Sequence, residues 1–380
     1  MAELRLNAPH EDTALQGVTF PQGYARGFVS EMKRRVHAYF EERQISTKAN
    51  ARMVVKTVIM FLMVAGPYAL IMTNELPLFV MWCLCVVMGI GVAGCGFCIA
   101  HDALHGAYSS KRWVNAILGM TFDVNGGSSY LWKITHNVIH HTYTNIQGID
   151  EDLEVSPLLR LSPTSEHRPV HRYQHLYVVV AYSMTTLFWV FVKDFQYLLR
   201  RDLGPYRNIR HPRGEVVKLL TMKMLYYSYI IVIPLLVLDI TWWQFAIGFL
   251  TMHLASGLML SLIFQLSHVV EGPVQFAAAN QSMMDDAWFV HEMKTTANFA
   301  RSNKLLCWYA GGLNFQIEHH LFPKVCSIHY PAICRIVQEV AEQFGIPYHH
   351  HPTFLGAIRS HWRTLKRFGD PDALPFSAAT

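Results

Sequence analysis

Charge is what this chain has least of. Only 16% of its 380 residues are Asp, Glu, Lys or Arg, against 52% hydrophobic residues, a balance that excludes both an ordinary soluble domain and a disordered chain. No secretory leader is visible: the first 50 residues are polar and charged, without an apolar core before the first long hydrophobic run, so that run is expected to act as the insertion signal. The cysteines supply no disulfide framework. Cys83, Cys85, Cys95 and Cys98 fall inside apolar runs, and Cys307, Cys326 and Cys334 fall on the side read below as reducing. Cys95 and Cys98 form a CxxC within a glycine-rich apolar helix, where small packing residues are the expected reading. Internal repeats and low-complexity linkers are also absent.

What is present is four long apolar runs, at residues 54–72, 78–100, 219–238 and 242–264. Each is long enough to cross roughly 30 Å of hydrocarbon at about 1.5 Å per helical residue. The joints at 73–77 and 239–241 are so short that the runs pair into two helical hairpins. Those joints carry only Glu75 and Asp239 as charges, whereas Lys33, Arg34, Arg35, Lys111, Arg112, Lys133, Arg200 and Arg201 lie on the other side. Basic loops face the cytoplasm, which puts both termini and the long middle loop there. The net charge of +5 is then a consequence of topology and gives no reason to expect a nucleic acid partner. A fifth apolar stretch, 176–192, would separate the histidine clusters across the bilayer if it spanned. It is expected to lie in or dip into the interface, with Tyr177, Tyr182, Trp189 and Lys193 at headgroup level.

Acidic residues are nearly missing where the histidines gather. His101 and His105 stand in HDALH, His136, His140 and His141 in HNVIHH, and His319 and His320 in QIEHH, with His268 alone in QLSHVVE. Side chains three or four apart on a helix share a face, and neutral imidazole binds iron, copper, zinc and nickel. Eight imidazoles exceed the four to six positions of one ion, so the expected site is dinuclear. Gln316 stands at i−3 and i−4 to the last pair, where it could ligate directly, bond a ligating water or orient a histidine. Asp102 is a candidate to orient a ligand ring, with a helix-end charge as the plainer reading. Asp150 and Asp152 are expected to order a loop, Glu318 to point away from the site, and His291 to sit on the correct side without a paired partner. His171 and His175 read as surface residues, His253 as an interior residue of the fourth span, and His349 to His351, between Pro347 and Pro352, as unable to share a helix face.

HDALH, HNVIHHTYTN and GLNFQIEHHLFP, in that order around four spans and with TTANF at 295–299, resemble the membrane fatty acid desaturase family. The glutamine of QIEHH resembles the front-end, linoleoyl-type branch. The resemblance covers residues from about 50 to 350. It implies two iron ions held by His101, His105, His136, His140, His141, His268, His319 and His320, dioxygen as co-substrate, and two electrons from an external donor. No HPGG motif of a fused cytochrome b5 is present, so the expected donor is a separate ferredoxin or cytochrome b5-type protein.

The expected fold is an all-α integral membrane protein, four spans in two hairpins with interfacial helices and a cytoplasmic helical cap around the metal site. Its expected parts are an N-terminal tail and amphipathic helix (1–50), the desaturase domain (51–350) and a C-terminal tail (351–380). The expected substrate is an acyl chain on a lipid, CoA or a carrier protein, with Asn125, Trp132, Trp288 and Asn298 as candidate contacts. An acyl hydroxylase, alkane monooxygenase or acetylenase would use the same site. A metal transporter would instead carry polar residues along a pathway through its spans, whereas here the histidines other than His253 lie outside the apolar runs.

Overall fold

A computed structural model describes residues 18–21, 25–154, 156–277 and 283–376; most of the expected N-terminal tail lies outside the described residues. Four helices are long and apolar enough to cross a membrane: Ala51–Met72, Leu78–Leu104, Arg213–Val237 and Trp242–Gln265. Several run past the apolar stretches read from the sequence, because backbone hydrogen bonding does not stop where the hydrocarbon does. The third span thus starts at Arg213, six residues before the apolar run at 219. The first span is capped by Asn50, whose side chain accepts the Met53 N–H at 3.1 Å. Val55, Leu62, Phe79, Leu236 and Trp242 stand exposed on the outer faces, as lipid contact requires. The second span lies against both the first and the fourth. At Gly89 a Cβ would meet the Met252 carbonyl oxygen at 2.3 Å, so the two backbones approach only because that residue has no side chain.

The fifth apolar stretch is a bent pair of helices, Pro169–Ser183 and Thr185–Leu199, meeting at 60°. The bend packs on Gly257 of the fourth span, where a Cβ would lie 2.3 Å from the Ser183 carbonyl oxygen. A count of crossings decides its role. His101 at the end of the second span and His268 after the fourth belong to one continuous histidine cluster, linked through His136 and His140 at ring separations of 5.5, 5.1 and 4.8 Å. Both ends must therefore lie on one face, which requires an even number of crossings between them. The third and fourth spans supply two, so the bent pair adds no crossing of its own.

One ion pair fastens the bent pair to the third span. Lys223 Nζ lies 2.7 Å from Asp194 Oδ2, both side chains 2% exposed, and also donates to the Gly126 and Val190 carbonyls at 2.6 and 2.8 Å. Trp189 Nε1 donates to Asp194 Oδ1 at 3.0 Å. So short a charge pair in apolar surroundings is tolerated only because nearly every polar atom is matched.

Beyond the spans lies a helical cap. Helix Arg26–Glu42 buries Phe28, Met32, Val36 and Phe40, one per turn, against Ile333, Val337, Val340 and Ala341 of helix Tyr330–Gln343. Residues 351–380, expected as a tail, contain a further helix, Phe354–Phe368, whose Ala357, Leu365 and Phe368 are fully buried. Its signal was an amphipathic period in a segment too basic to read as core. Two short parallel strand pairs tie the cap together, Ile146–Gln147 with Phe276–Ala277 and Ala297–Phe299 with His349–His351. The His349 to His351 run is thus an edge of a small sheet.

Replacing Lys223 by Met strands the Asp194 carboxylate and should cost about 3–5 kcal/mol, read as a lowered thermal transition in detergent. The paired change Lys223→Met with Asp194→Leu should recover most of that loss; equal instability of single and paired variants would remove the ion pair from this role.

Candidate metal centre

Three local features aim the histidines. The second span loosens into a π-helical turn over Gly96–Ala100 just before His101. The second cluster lies on another π-helical segment, Lys133–His140, closed by the His141 N–H bonding back to the His136 carbonyl at 3.1 Å. Such wide turns shift side chains off the ordinary helical spacing and recur at functional sites. The third cluster sits on a single short helix, Gln316–Leu321, buried along its whole length.

The structure brings all eight histidines together. His101, His105, His136 and His319 form one nest, His140, His268 and His320 a second, and His141 joins His319 and His320; within each group the available ligand atoms lie within 4.8 Å of one another. His141 therefore stands between the nests, 4.5 Å from the His319 ring and 4.4 Å from that of His320. Two nests and a shared position make a dinuclear arrangement.

The nitrogens are sorted by direction. The Nδ1 atoms face outward: His136 to Asp152 at 3.3 Å, His140 to Asp150 at 3.0 Å, His320 to Glu292 at 2.6 Å, His319 to the Tyr330 hydroxyl at 3.2 Å, and His268 to the Thr295 carbonyl at 3.4 Å. The Nε2 atoms of His105, His136, His140, His268, His319 and His320 are buried with no hydrogen-bond partner, as are both nitrogens of His141. An unsatisfied buried polar atom costs about 1–3 kcal/mol, so seven rings turned inward without partners make a poor protein interior and a good cation nest. The donor set fits metal ions.

Electrostatics agree with this. Burial, reinforced by the neighbouring rings, holds His105, His136, His141, His319 and His320 well below the usual imidazole range and His268 down to about 3, which leaves their lone pairs free. His140 is the exception: burial disfavours its charged form, yet the Asp150 carboxylate overcomes this and raises it to about 9. Burial pushes Glu292 well above the carboxylate range, and Thr144 donates to it at 2.9 Å. Without a cation nearby the His320–Glu292 contact is a short, uncharged hydrogen bond.

The other candidates separate clearly. Asp102 Oδ1 is 3.8 Å from His101 Nδ1, while its Oδ2 accepts the Ser327 N–H and hydroxyl at 3.0 and 2.8 Å; it chiefly pins the 326–327 turn beneath the cluster. Asp150 both accepts the Asn145 and Asp152 N–H groups and faces His140, so loop-ordering and ring-orienting are one task. His291 stands outside the nests, its Nε2 on the Thr144 carbonyl at 2.8 Å. Asn298 is bonded to Glu318 at 2.8 Å and to the Ile317 N–H at 3.0 Å, which turns Glu318 away from the cluster. Trp288 Nε1 donates to the His141 carbonyl at 3.1 Å. His171 is bonded to the Pro157 carbonyl, and His175 packs edge-on to Trp362. Sequence reasoning missed Glu292, Tyr330 and Thr144, and Asp152 as a ring partner. These residues follow no motif, and only the excess of acids just after the second box offered a signal.

The cluster closes one end of an apolar cavity of about 770 Å³, lined by His101, His136, Trp132, Gln265 and Gln316 near the metal end and by Phe191, Tyr226, Met252 and His253 deep in the membrane region, with Asn125 also on its wall. From Gln265 to His253 is twelve residues of helix, about 18 Å at 1.5 Å per residue. At the deep end Tyr226 hydroxyl meets His253 Nε2 at 2.9 Å, and His253 Nδ1 meets Thr186 Oγ1 at 3.1 Å, so His253 is fully satisfied there. Trp132 stacks on His136 at 4.4 Å. Phe264 lies 5.2–5.9 Å from the rings of His136, His140 and His268, an apolar side chain beside the nest where the cavity begins.

A multi-span helical protein whose buried polyhistidine nest ends an alkyl-sized cavity is a membrane metalloenzyme acting on apolar chains. Residues 77–352 match the family model described as fatty acid desaturase, and the chain belongs to that family, whose members are oxidoreductases. It is 39% identical to an sn-1 linoleoyl-lipid 6-desaturase of Arthrospira platensis, over 92% of this chain and 94% of the relative. It is 36% identical to one of Synechocystis sp., over 90% and 96%. An acyl-lipid (8-3)-desaturase of Physcomitrium patens is 32% identical over 90% of this chain and 72% of that relative.

His140 carries a proton below about 9 that a cation at Nε2 must expel, so metal affinity of the stripped protein should rise with pH up to that point. Asp150→Asn should weaken binding about 10–100-fold and move this pH dependence to lower pH. Titration with iron(II) or cobalt(II) between pH 6 and 9 checks both.

Proposed function

We propose that this desaturase introduces a cis double bond into an acyl chain of a membrane glycerolipid, between the ester and a double bond already present. Two iron ions would be held by His101, His105, His136, His140, His141, His268, His319 and His320, and with dioxygen they would supply the oxidant needed to remove hydrogen from an unactivated carbon. The balance is fixed by chemistry. The chain gives up two hydrogen atoms, which are two protons and two electrons, an external ferredoxin or cytochrome b5-type donor supplies two more electrons with two protons from water, and dioxygen leaves as two waters. The site and both termini would face the cytoplasm, where the basic loops lie.

One observation carries this reading: the apolar cavity begins at the imidazole nest and runs about 18 Å toward the middle of the membrane. An alkyl chain enters such a space without leaving apolar surroundings, while its headgroup stays in the polar layer. The residues of this chain do the positioning. Trp132 and Phe264 press the chain against the nest and keep water out, Asp150, Asp152 and Glu292 hold the imidazole rings in orientation, and the Lys223–Asp194 pair keeps the cavity wall of the bent helices in place. The substrate class follows the relatives of Arthrospira platensis and Synechocystis sp., whose names specify a linoleoyl lipid and position 6.

The test is lipid profiling of cells supplied with linoleate and expressing either the wild type or His140→Ala. A trienoic chain with its new bond at position 6, attached to glycerolipid and absent with His140→Ala, is the expected result. Hydroxylated chains in its place would overturn the desaturase chemistry, and a product confined to acyl-CoA would overturn the lipid substrate.

A further inference from the structure

The cavity wall is apolar or internally satisfied over most of its extent. Thr185 and Ser261 bond each other at 2.7 Å, and Tyr226, His253 and Thr186 close among themselves. Near the metal end the Oε1 atoms of Gln265 and Gln316 have no partner, but these are uncharged acceptors. Lys193 is a different case. It is the one lysine or arginine among the described residues of the wall, and it is only 8% exposed. An ammonium so far from water costs much more than an unpaired amide unless an anion or several acceptors surround it.

Lys193 closes the π-helical turn Trp189–Lys193 in the second arm of the bent pair. Its Nζ lies between two aromatic faces, 4.7 Å from the Trp189 ring centroid and 5.2 Å from that of Tyr197. Ring faces attract a cation, but an ammonium has three N–H groups that need acceptors. Among the described residues none accepts a hydrogen bond from this Nζ, and no carboxylate stands within 4.0 Å of it. The two acids whose charge reaches it, Asp152 and Asp194, are turned to other groups. Asp194 faces Lys223 at 2.7 Å and Trp189 Nε1 at 3.0 Å, and Asp152 faces the Nδ1 atoms of His136 and His140 at 3.3 and 3.8 Å. The wall also holds Asp152, Ser156 and Leu158 of the loop after the second histidine cluster, and the Tyr177 hydroxyl of the first arm donates to the Leu158 carbonyl at 2.6 Å. Lys193 thus stands within the field of the cap loop, where cap and bent helices meet over the cavity. A lipid whose chain fills the cavity has its polar end there.

We propose that Lys193 binds the phosphate of the glycerolipid whose chain occupies the cavity, so that the substrate is a phospholipid rather than a glycolipid. The inference rests on the acyl-lipid reading above and deepens it by naming the headgroup class. Every glycerolipid carries neutral ester carbonyls and a sugar headgroup carries neutral hydroxyls, so neither offsets a buried charge. A phosphodiester does: it brings one negative charge and two free oxygens, both acceptors, and an ammonium meets it as a point charge without a fixed geometry. The aromatic faces of Trp189 and Tyr197 hold the ammonium in place until the anion arrives.

The experiment measures binding of two lipids with the same linoleoyl chains, a phosphatidylglycerol and a monoglucosyl diacylglycerol, to the purified metal-loaded protein in uncharged detergent. Intrinsic tryptophan fluorescence reports it, since Trp132 and Trp189 line the cavity. The wild type should bind the phospholipid about tenfold to hundredfold more tightly, the worth of one charge-assisted hydrogen bond. Lys193→Met should keep its metal and lose that preference, and Lys193→Arg should keep most of it. Equal affinity of the wild type for the two lipids overturns the proposal without any variant, as does a preference that survives in Lys193→Met. Displacement of the phospholipid by inorganic phosphate would assign the site to the free anion and overturn the headgroup contact. Loss of metal from Lys193→Met and Lys193→Arg alike would make the ammonium a support of the nest and overturn its role toward lipid. A wild type that prefers the phospholipid through Lys193 yet forms no double bond in it sinks the desaturation reading and leaves the phosphate contact standing.

Discussion

The constraint on which this structure depends is that seven buried imidazole rings turn nitrogens toward common points where no protein group pairs with them. Rings stay in this arrangement only if most of them are held from behind, because an unrestrained imidazole would rotate to find a partner, and five of the seven are so held. The outward Nδ1 contacts to Asp150, Asp152, Glu292, Tyr330 and the Thr295 carbonyl supply that restraint. They come from three separate stretches of chain, so the cap must fold as a unit before the nest exists. The two small strand pairs and the buried helix Phe354–Phe368 belong to the same requirement.

The membrane imposes a second condition on the same site. Ligands arrive at the ends of the second and fourth spans and from the cap, and all must emerge on one face. The bent helix pair resolves the conflict between an apolar stretch that belongs in lipid and a crossing count that forbids another span. Its backbone near the bend is pressed onto Gly257 and its far arm is tied by Asp194 to Lys223. The space left between that pair and the spans is the cavity. The fold therefore makes a chain-sized channel and a metal nest by one arrangement.

Much of this was legible in the sequence, for identifiable reasons. The spans follow from long apolar runs with few charges, and the histidine boxes from helical spacing, since residues three and four apart face one way in any helix. Glu318 was readable as pointing away for the same reason. Asn298 and Trp288 read as candidate substrate contacts because they are polar or aromatic near a box, but their side chains are engaged with Glu318 and with the His141 carbonyl. Glu292 could not be found in this way, because its partner His320 lies 28 residues further on and nothing local marks the pair.

The sequence alone determined the class of chain, the number of spans, the composition of the metal nest and the face of each helix that carries it, because these depend on local periodicity and on the transfer of apolar residues into lipid. Only the tertiary structure decided which acids orient which rings, that His291 stands outside the nest, and that the carboxamide oxygens of Gln265 and Gln316 remain unpaired at the cavity's metal end. These depend on contacts between residues far apart in the chain, whose geometry is set by packing and by the need to satisfy every buried polar atom, and no local pattern encodes them.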